Sequence, residues 1–219
     1  TVFFVSFLDD QPGTRILHEG ALHEERHLFD WNADSDNVLT YLEELGERLG
    51  TRCFGDVAFY FLPHVESILK KWPNAKFVVL QRNRSETIES YLRKTHGRNH
   101  WMKHDGSRWK HDLTWDSKYP TINASSKEAA VGKYWDLYYQ RTDALMETYP
   151  DAFSLHDMRD LNSREEREKI LSFLGYTSDK MVVSNTYRKN TRVGRGAEAG
   201  VISLWGRALR MMRNMMPTS

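Results

Sequence analysis

Cysteine is almost absent: Cys53 stands alone in 219 residues. One thiol excludes an intrachain disulfide and fits a reducing compartment, so the chain is expected to be cytoplasmic. Cys53 reads as a small apolar side chain rather than a nucleophile. No apolar run approaches the ~20 residues that cross a bilayer, so no stable membrane span is expected. No secretory signal is visible, although one lying ahead of Thr1 would not be seen. Excess charge of one sign is also missing, with 31 Lys and Arg against 30 Asp and Glu for a net +1. That balance gives no general polyanion-binding surface. With no recognisable nucleic-acid module, no nucleic-acid partner is expected.

Several catalytic signatures are lacking as well. No Gly-x-x-x-x-Gly-Lys-Ser/Thr occurs, so an ordinary Walker phosphate loop is excluded, which speaks against a nucleoside or sugar kinase. There is no Gly-x-Ser-x-Gly elbow for a Ser–His–Asp hydrolase. His18, His23 and His27 lie among Glu19, Glu24 and Glu25, but no His-Glu-x-x-His order appears and no metal site is expected. Internal repeats and low-complexity tracts are absent. The length suits a single domain over 1–219, large enough to bury about 70% of its unfolded surface.

What remains is an alternation of short apolar runs and amphipathic stretches. Helices are expected at 1–10, 36–49, 62–72, 84–96, 126–149 and 163–174, and strands at 14–19, 52–57, 76–81 and 153–156. The long helix follows from Ala129, Ala130, Tyr134, Leu137, Tyr138, Leu145 and Met146 at helical spacing. Strands alternating with helices predict an α/β fold with a mostly parallel sheet flanked by helices.

The most informative run is Lys76-Phe77-Val78-Val79-Leu80-Gln81-Arg82. It reads as a buried strand ending in a guanidinium, with an amphipathic helix following at once. In open α/β sheets, ligands bind where strands end and helices begin. Arg82 there, with Ser90 two turns into the helix, can grip one phosphate through a planar fork of donors and a hydroxyl. A solvated strand end or a structural ion pair would leave the same trace in sequence.

This segment, Pro-x-Ala-Lys-Phe-(apolar)3-x-Arg with Ser eight residues on, resembles the 3′-phosphate-binding segment of sulfotransferases that use 3′-phosphoadenosine 5′-phosphosulfate, PAPS. The usual proline two residues after the arginine is Arg84 here. His156–Leu161 with Ile170–Tyr176 resembles a second family region, and Tyr187–Gly194 is a degraded form of its Arg-Lys-Gly segment. The resemblance spans roughly residues 1–196. It implies a P-loop-NTPase-like sulfotransferase fold and PAPS as co-substrate, with 3′-phosphoadenosine 5′-phosphate, PAP, as product. It places Arg82, Ser90 and Lys94 on the 3′-phosphate, and Arg188 and Lys189 in a late loop over the nucleotide. The family's 5′-phosphosulfate loop is not present in these residues. Because Thr1–Leu8 resembles the helix that follows it, the sequence is expected to start inside the pattern, with Thr1 the last loop residue and the first strand preceding it. A catalytically inactive nucleotide-binding relative is the alternative that the missing loop favours.

By the same resemblance, the base that deprotonates an acceptor hydroxyl or amine is Glu19, at the end of the strand after the first helix. Capping that strand, or pairing with His23 or Arg26, is the plainer role for Glu19. His18 precedes it on the opposite face, and Asp56, ending the next strand, is the reserve choice. Both are candidate acceptor contacts. From 97 to 126 the chain places Trp101 and Trp109 among Lys and His residues, which suits either an acceptor-binding lid or a plain insertion. Residues 200–216 read as an amphipathic basic helix that packs on the domain or docks elsewhere. The acceptor partner, whether small molecule, glycan or peptide, is not identified by the sequence, nor is the oligomeric state.

Overall fold

Parallel strands need long crossovers, and each apolar run here is followed by an amphipathic helix that supplies one. The computed structural model describes residues 2–20, 28–95, 98–99, 110–111, 115–177, 179 and 181–183. In order, these form α1 (Val2–Asp9), β1 (Thr14–His18), α2 (Ser35–Leu49), β2 (Cys53–Val57), α3 (Val65–Lys71), β3 (Phe77–Gln81) and α4 (Arg84–Lys94). There follow β4 (Arg98–Asn99), β5 (Lys110–His111), α5 (Lys127–Thr148), β6 (Phe153–Asp157) and α6 (Arg164–Phe173). Mixed α/β architecture with parallel pairing is therefore present.

The expected sheet is divided. Strand β1 pairs in parallel with β2, from Thr14 opposite Cys53 to His18 opposite Val57. Strand β3 pairs in parallel with β6, from Phe77 opposite Phe153 to Gln81 opposite Asp157. The two pairs share no ladder, and β4–β5 is a two-residue bridge of its own within the 97–126 segment. The crossover through α3 sets β3 beside β6 instead of β2, so each pair keeps an outer edge.

Helix ends follow the sequence closely. Asp34, Asn83, Ser126 and Ser163 cap α2, α4, α5 and α6, each accepting a backbone N–H of the first turn. Gly50, in the left-handed region at φ 57°, closes α2. Helix α2 lies over β2 so closely at Gly46 that a Cβ there would meet the Phe54 ring at 2.8 Å.

Three apolar clusters hold these elements. Leu17, Phe29, Val38, Tyr41, Leu45 and Tyr60 join α2 to the β1–β2 pair. Leu62, Val65, Leu69, Leu145, Ala152 and Phe153 join α3 and α5 to β3–β6. Tyr119, Ile122, Ala130, Val131 and Tyr134 fasten the end of the insertion to α5, with Ile88 and Tyr91 of α4 packed against them. Leu137, expected on the inward face of α5, is 40% exposed. Tyr134 and Tyr138, expected on the same face, do pack inward, and the neighbouring Trp135 and Tyr139 turn toward β3. Gln11 is buried and holds Val182 through two 2.9 Å bonds, its Nε2 donating to the carbonyl and its Oε1 accepting from the N–H.

Candidate functional site

Two groups of polar residues lie where strands end. At β3, Gln81 turns its carbonyl toward β6, accepting from the Met158 N–H at 2.8 Å. Leu80 and Arg82 therefore present their backbone groups to the opposite edge. There the Tyr139 hydroxyl donates to the Leu80 carbonyl at 3.0 Å and accepts from the Arg82 N–H at 3.3 Å. Trp135 Nε1 donates to the Arg82 carbonyl at 2.9 Å. These three bonds from α5 fix the main chain from which the Arg82 side chain departs.

The Arg82 side chain is 39% exposed, and its guanidinium faces Glu86, four residues on, at 3.4 Å. An exposed pair at that length is worth at most about 1 kcal/mol and yields readily to a stronger anion. Ser90 is buried, at 6% exposure, and Lys94 is exposed one turn beyond it. At 1.5 Å rise per residue, Ser90 lies ~9 Å along α4 from its first residue, Arg84. Arg84 itself is committed elsewhere, forming a bidentate pair with Asp136 at 2.8 Å to each oxygen.

The second group closes β1 and β2. Glu19 leaves the strand with φ at +55°, the non-glycine residue with positive φ among the described residues, and Gly20 follows at +65°. A left-handed turn at a residue with a Cβ costs about 1 kcal/mol, and such strain collects at functional positions. It swings the chain so that the Gly20 N–H donates to Asp56 Oδ2 at 2.8 Å. Asp56 Oδ1 is buried with no hydrogen-bond partner among the described residues. Burial pushes the Asp56 carboxyl up to about 6, the Glu19 charge adds to this, and N–H donors from Gly20 and Glu19 offset part of it. Burial likewise raises the phenols of Tyr60 and Tyr91, with the Glu19 charge a further cause at both. Tyr91 belongs to α4, the helix that also carries Ser90.

Gly20 also lies on the rim of a cavity of about 930 Å³ between α2 and the 116–121 segment. A second cavity of about 860 Å³ lies between α3 and the 148–152 turn. Neither is lined by Arg82, Ser90 or Lys94.

His18 ends β1. Thr1, Trp101, Trp109, Arg188, Lys189 and the 200–216 segment lie outside the described residues, as do His23 and His27. Cys53 is partly buried beside the Tyr176 hydroxyl. His64 is buried, with Nδ1 3.0 Å from Ser35 Oγ, and serves packing. Among the described residues no group of three or more metal-ligating side chains forms, and no helix is long and apolar enough to cross a membrane.

Sequence reasoning missed two arrangements. The edge bonds of Trp135 and Tyr139 are one, and their i, i+4 spacing on α5 was the available signal. The other is Ser154–His156–Glu166: Ser154 Oγ lies 2.6 Å from His156 Nε2, and Glu166 Oε1 lies 2.5 Å from Nδ1. Ser154 lies within a regular strand and the imidazole is 5% exposed. These bonds tie β6 to α6.

The fold and these groups define an α/β protein of parallel strand pairs, with cationic and acidic groups at strand ends. No family model matches the chain, and no curated protein or solved structure matches it either.

Proposed function

We propose that the protein is a PAPS-dependent sulfotransferase. The observation that carries this is Arg82: its main chain is clamped by Tyr139 and Trp135 at the end of β3, while among the described residues its side chain is held by a long, exposed contact to Glu86. A preorganised backbone with a displaceable partner suits an anion site, and a ribose 3′-phosphate offers the oxygens that a guanidinium fork prefers. Ser90 and Lys94 add a hydroxyl and an ammonium along the same helix.

In the reaction, Glu19 takes the proton from an acceptor hydroxyl or amine. The freed lone pair forms a bond to sulfur in line with the bridging oxygen to the 5′-phosphate. That S–O bond breaks, its electrons stay on PAP, and the sulfated product remains. The left-handed turn at Glu19 carries the chain out of the strand, so that Gly20 reaches Asp56 and the cavity lining. Asp56, bonded to the Gly20 N–H, keeps that turn in place.

Calorimetry tests the reading. PAP should bind and AMP should bind at least tenfold more weakly, since the 3′-phosphate is the gripped group. Arg82→Ala should weaken PAP about 10- to 100-fold, the worth of a charge-assisted bond. Equal affinity for PAP and AMP in the unaltered protein would overturn the assignment. Labelled-sulfate transfer from PAPS into an acceptor panel then separates an enzyme from an inactive nucleotide binder.

A further inference from the structure

We infer that the guanidinium of Arg167, bonded to the 160–162 turn that leads into α6, is a binding site for a chloride ion. The site uses none of the strand-end residues described above and does not rest on the sulfotransferase reading.

Arginine does not shed its proton inside a protein, so a buried guanidinium keeps its charge and needs an anion beside it. Arg167 is 4% exposed and lies on the inward face of α6, with Ile170 and Leu171, both at 0%, three and four residues on. Among the described residues its side chain makes one polar contact, from Nη1 to the Leu161 carbonyl at 3.5 Å. That length is beyond the ordinary range for an N–H donor and a carbonyl. Nε is sealed from solvent and has no partner among the described residues. Every carboxylate of α6 is committed elsewhere. Glu168 accepts from Arg164 at 2.7 Å, and Glu165 pairs with Lys169 at 2.9 Å. Glu166 is shared between His156 at 2.5 Å and Lys169 at 3.4 Å. Among the described residues no ion pair reaches Arg167. Its charge is thus desolvated and uncompensated, which costs more than the same ion solvated or paired.

Charge and space select the occupant. A guanidinium offers donors alone, so its partner must be an acceptor, and a buried cation asks for one that is negative. Water can accept from Nε but brings no charge. Arg167 lines neither of the two cavities, so the space beside it suits a monatomic ion rather than a nucleotide, a phosphate ester or a peptide carboxylate. A singly charged halide also leaves water at lower cost than phosphate or sulfate, which matters beside the apolar residues of the inward face. Chloride bonded to Nε turns a lone buried cation into a neutral pair where the 160–162 turn meets α6. An ion held by the folded chain and not by the unfolded one stabilises the fold in proportion to its saturation.

Thermal unfolding of the full chain at pH 7 tests this, with sodium chloride compared against sodium gluconate at equal ionic strength. Gluconate is too large to take the place of the halide. At tenfold excess over its dissociation constant, chloride should raise the melting temperature by about 3–6 °C, and the shift should saturate. Bromide should act in the same way. Arg167→Met keeps much of the side chain's length and removes the charge. It should melt alike in the two salts, and no lower than the unaltered protein does in gluconate. Arg82→Ala should retain the full chloride shift, which separates this site from the guanidinium at the end of β3. If Arg167→Met does not fold, Arg167→Lys takes its place: it keeps the charge, loses the planar fork, and should need at least fivefold more chloride for half the shift. Chloride NMR linewidths report binding directly. The unaltered protein should broaden the resonance saturably, and added bromide should narrow it again. Equal melting in the two salts, a shift unchanged in Arg167→Met or Arg167→Lys, a shift lost in Arg82→Ala, or no saturable broadening would each overturn the inference.

Discussion

At the scale of single residues, Asp56 is the most consequential side chain. Its carboxyl, moved by burial from 3.8 to about 6, costs the charged form about 3 kcal/mol. The folded state therefore holds a proton that the unfolded chain releases, so this residue's contribution to stability falls as pH rises from about 4 through 6. Asp56→Asn keeps an acceptor for the Gly20 N–H and removes the charge. It should raise the melting temperature at pH 7.5, by up to about 3 kcal/mol equivalent, with the difference vanishing near pH 4. A thermal scan at both pH values checks this; a pH-independent effect would mean that burial of the charge is not the cause. Glu19, Asp56 and Arg82 were all legible as strand-end residues, because a polar side chain closing an apolar run is visible in sequence. The left-handed turn at Glu19 was not, since it depends on Gly20 reaching Asp56, 36 positions away.

Among the elements, helix boundaries were the most readable feature because capping chemistry is local. Ser163 with Glu166 three residues on marks the start of α6, and the structure places Ser163 Oγ 3.0 Å from the Glu166 N–H. What the pattern did not reveal is that the Glu166 side chain leaves the cap for His156. That bond holds the Glu166 carboxyl below its usual range, with Lys169 assisting. A depressed carboxyl contributes stability above its unfolded value of 4.5, and loses it as pH falls through the folded value. Glu166→Gln should thus destabilise by about 1–2 kcal/mol at neutral pH. Its denaturation midpoint should approach that of the unaltered protein only below about pH 4.5. Urea titrations at pH 7 and pH 4 measure it, and a constant difference would show that charge plays no part. Strand pairing was less readable than the caps, because register is set by neighbours distant in sequence. Alternation alone left one sheet as the simplest expectation where two separate pairs formed.

For the whole molecule, the decisive contacts run between distant segments. Helix α5 joins the β3–β6 pair to the end of the insertion through Tyr134, Tyr138 and Tyr139, which no local pattern announces. Tyr139→Phe keeps the ring but leaves the Leu80 carbonyl and Arg82 N–H without that partner. It should cost about 1–2 kcal/mol of global stability and weaken PAP several-fold, because the backbone beneath Arg82 loosens. Denaturation and calorimetry on one preparation give both numbers. Lost stability with unchanged PAP affinity would confine Tyr139 to a role in folding.

The same hydroxyl bears on self-association. An outer strand edge is a template on which another chain can add, and extended, sticky edges seed aggregates. With Tyr139 occupying the Leu80 carbonyl and the Arg82 N–H just past the end of β3, that end of the edge is closed to an incoming strand, which shortens the stretch on which a cross-β stack could grow.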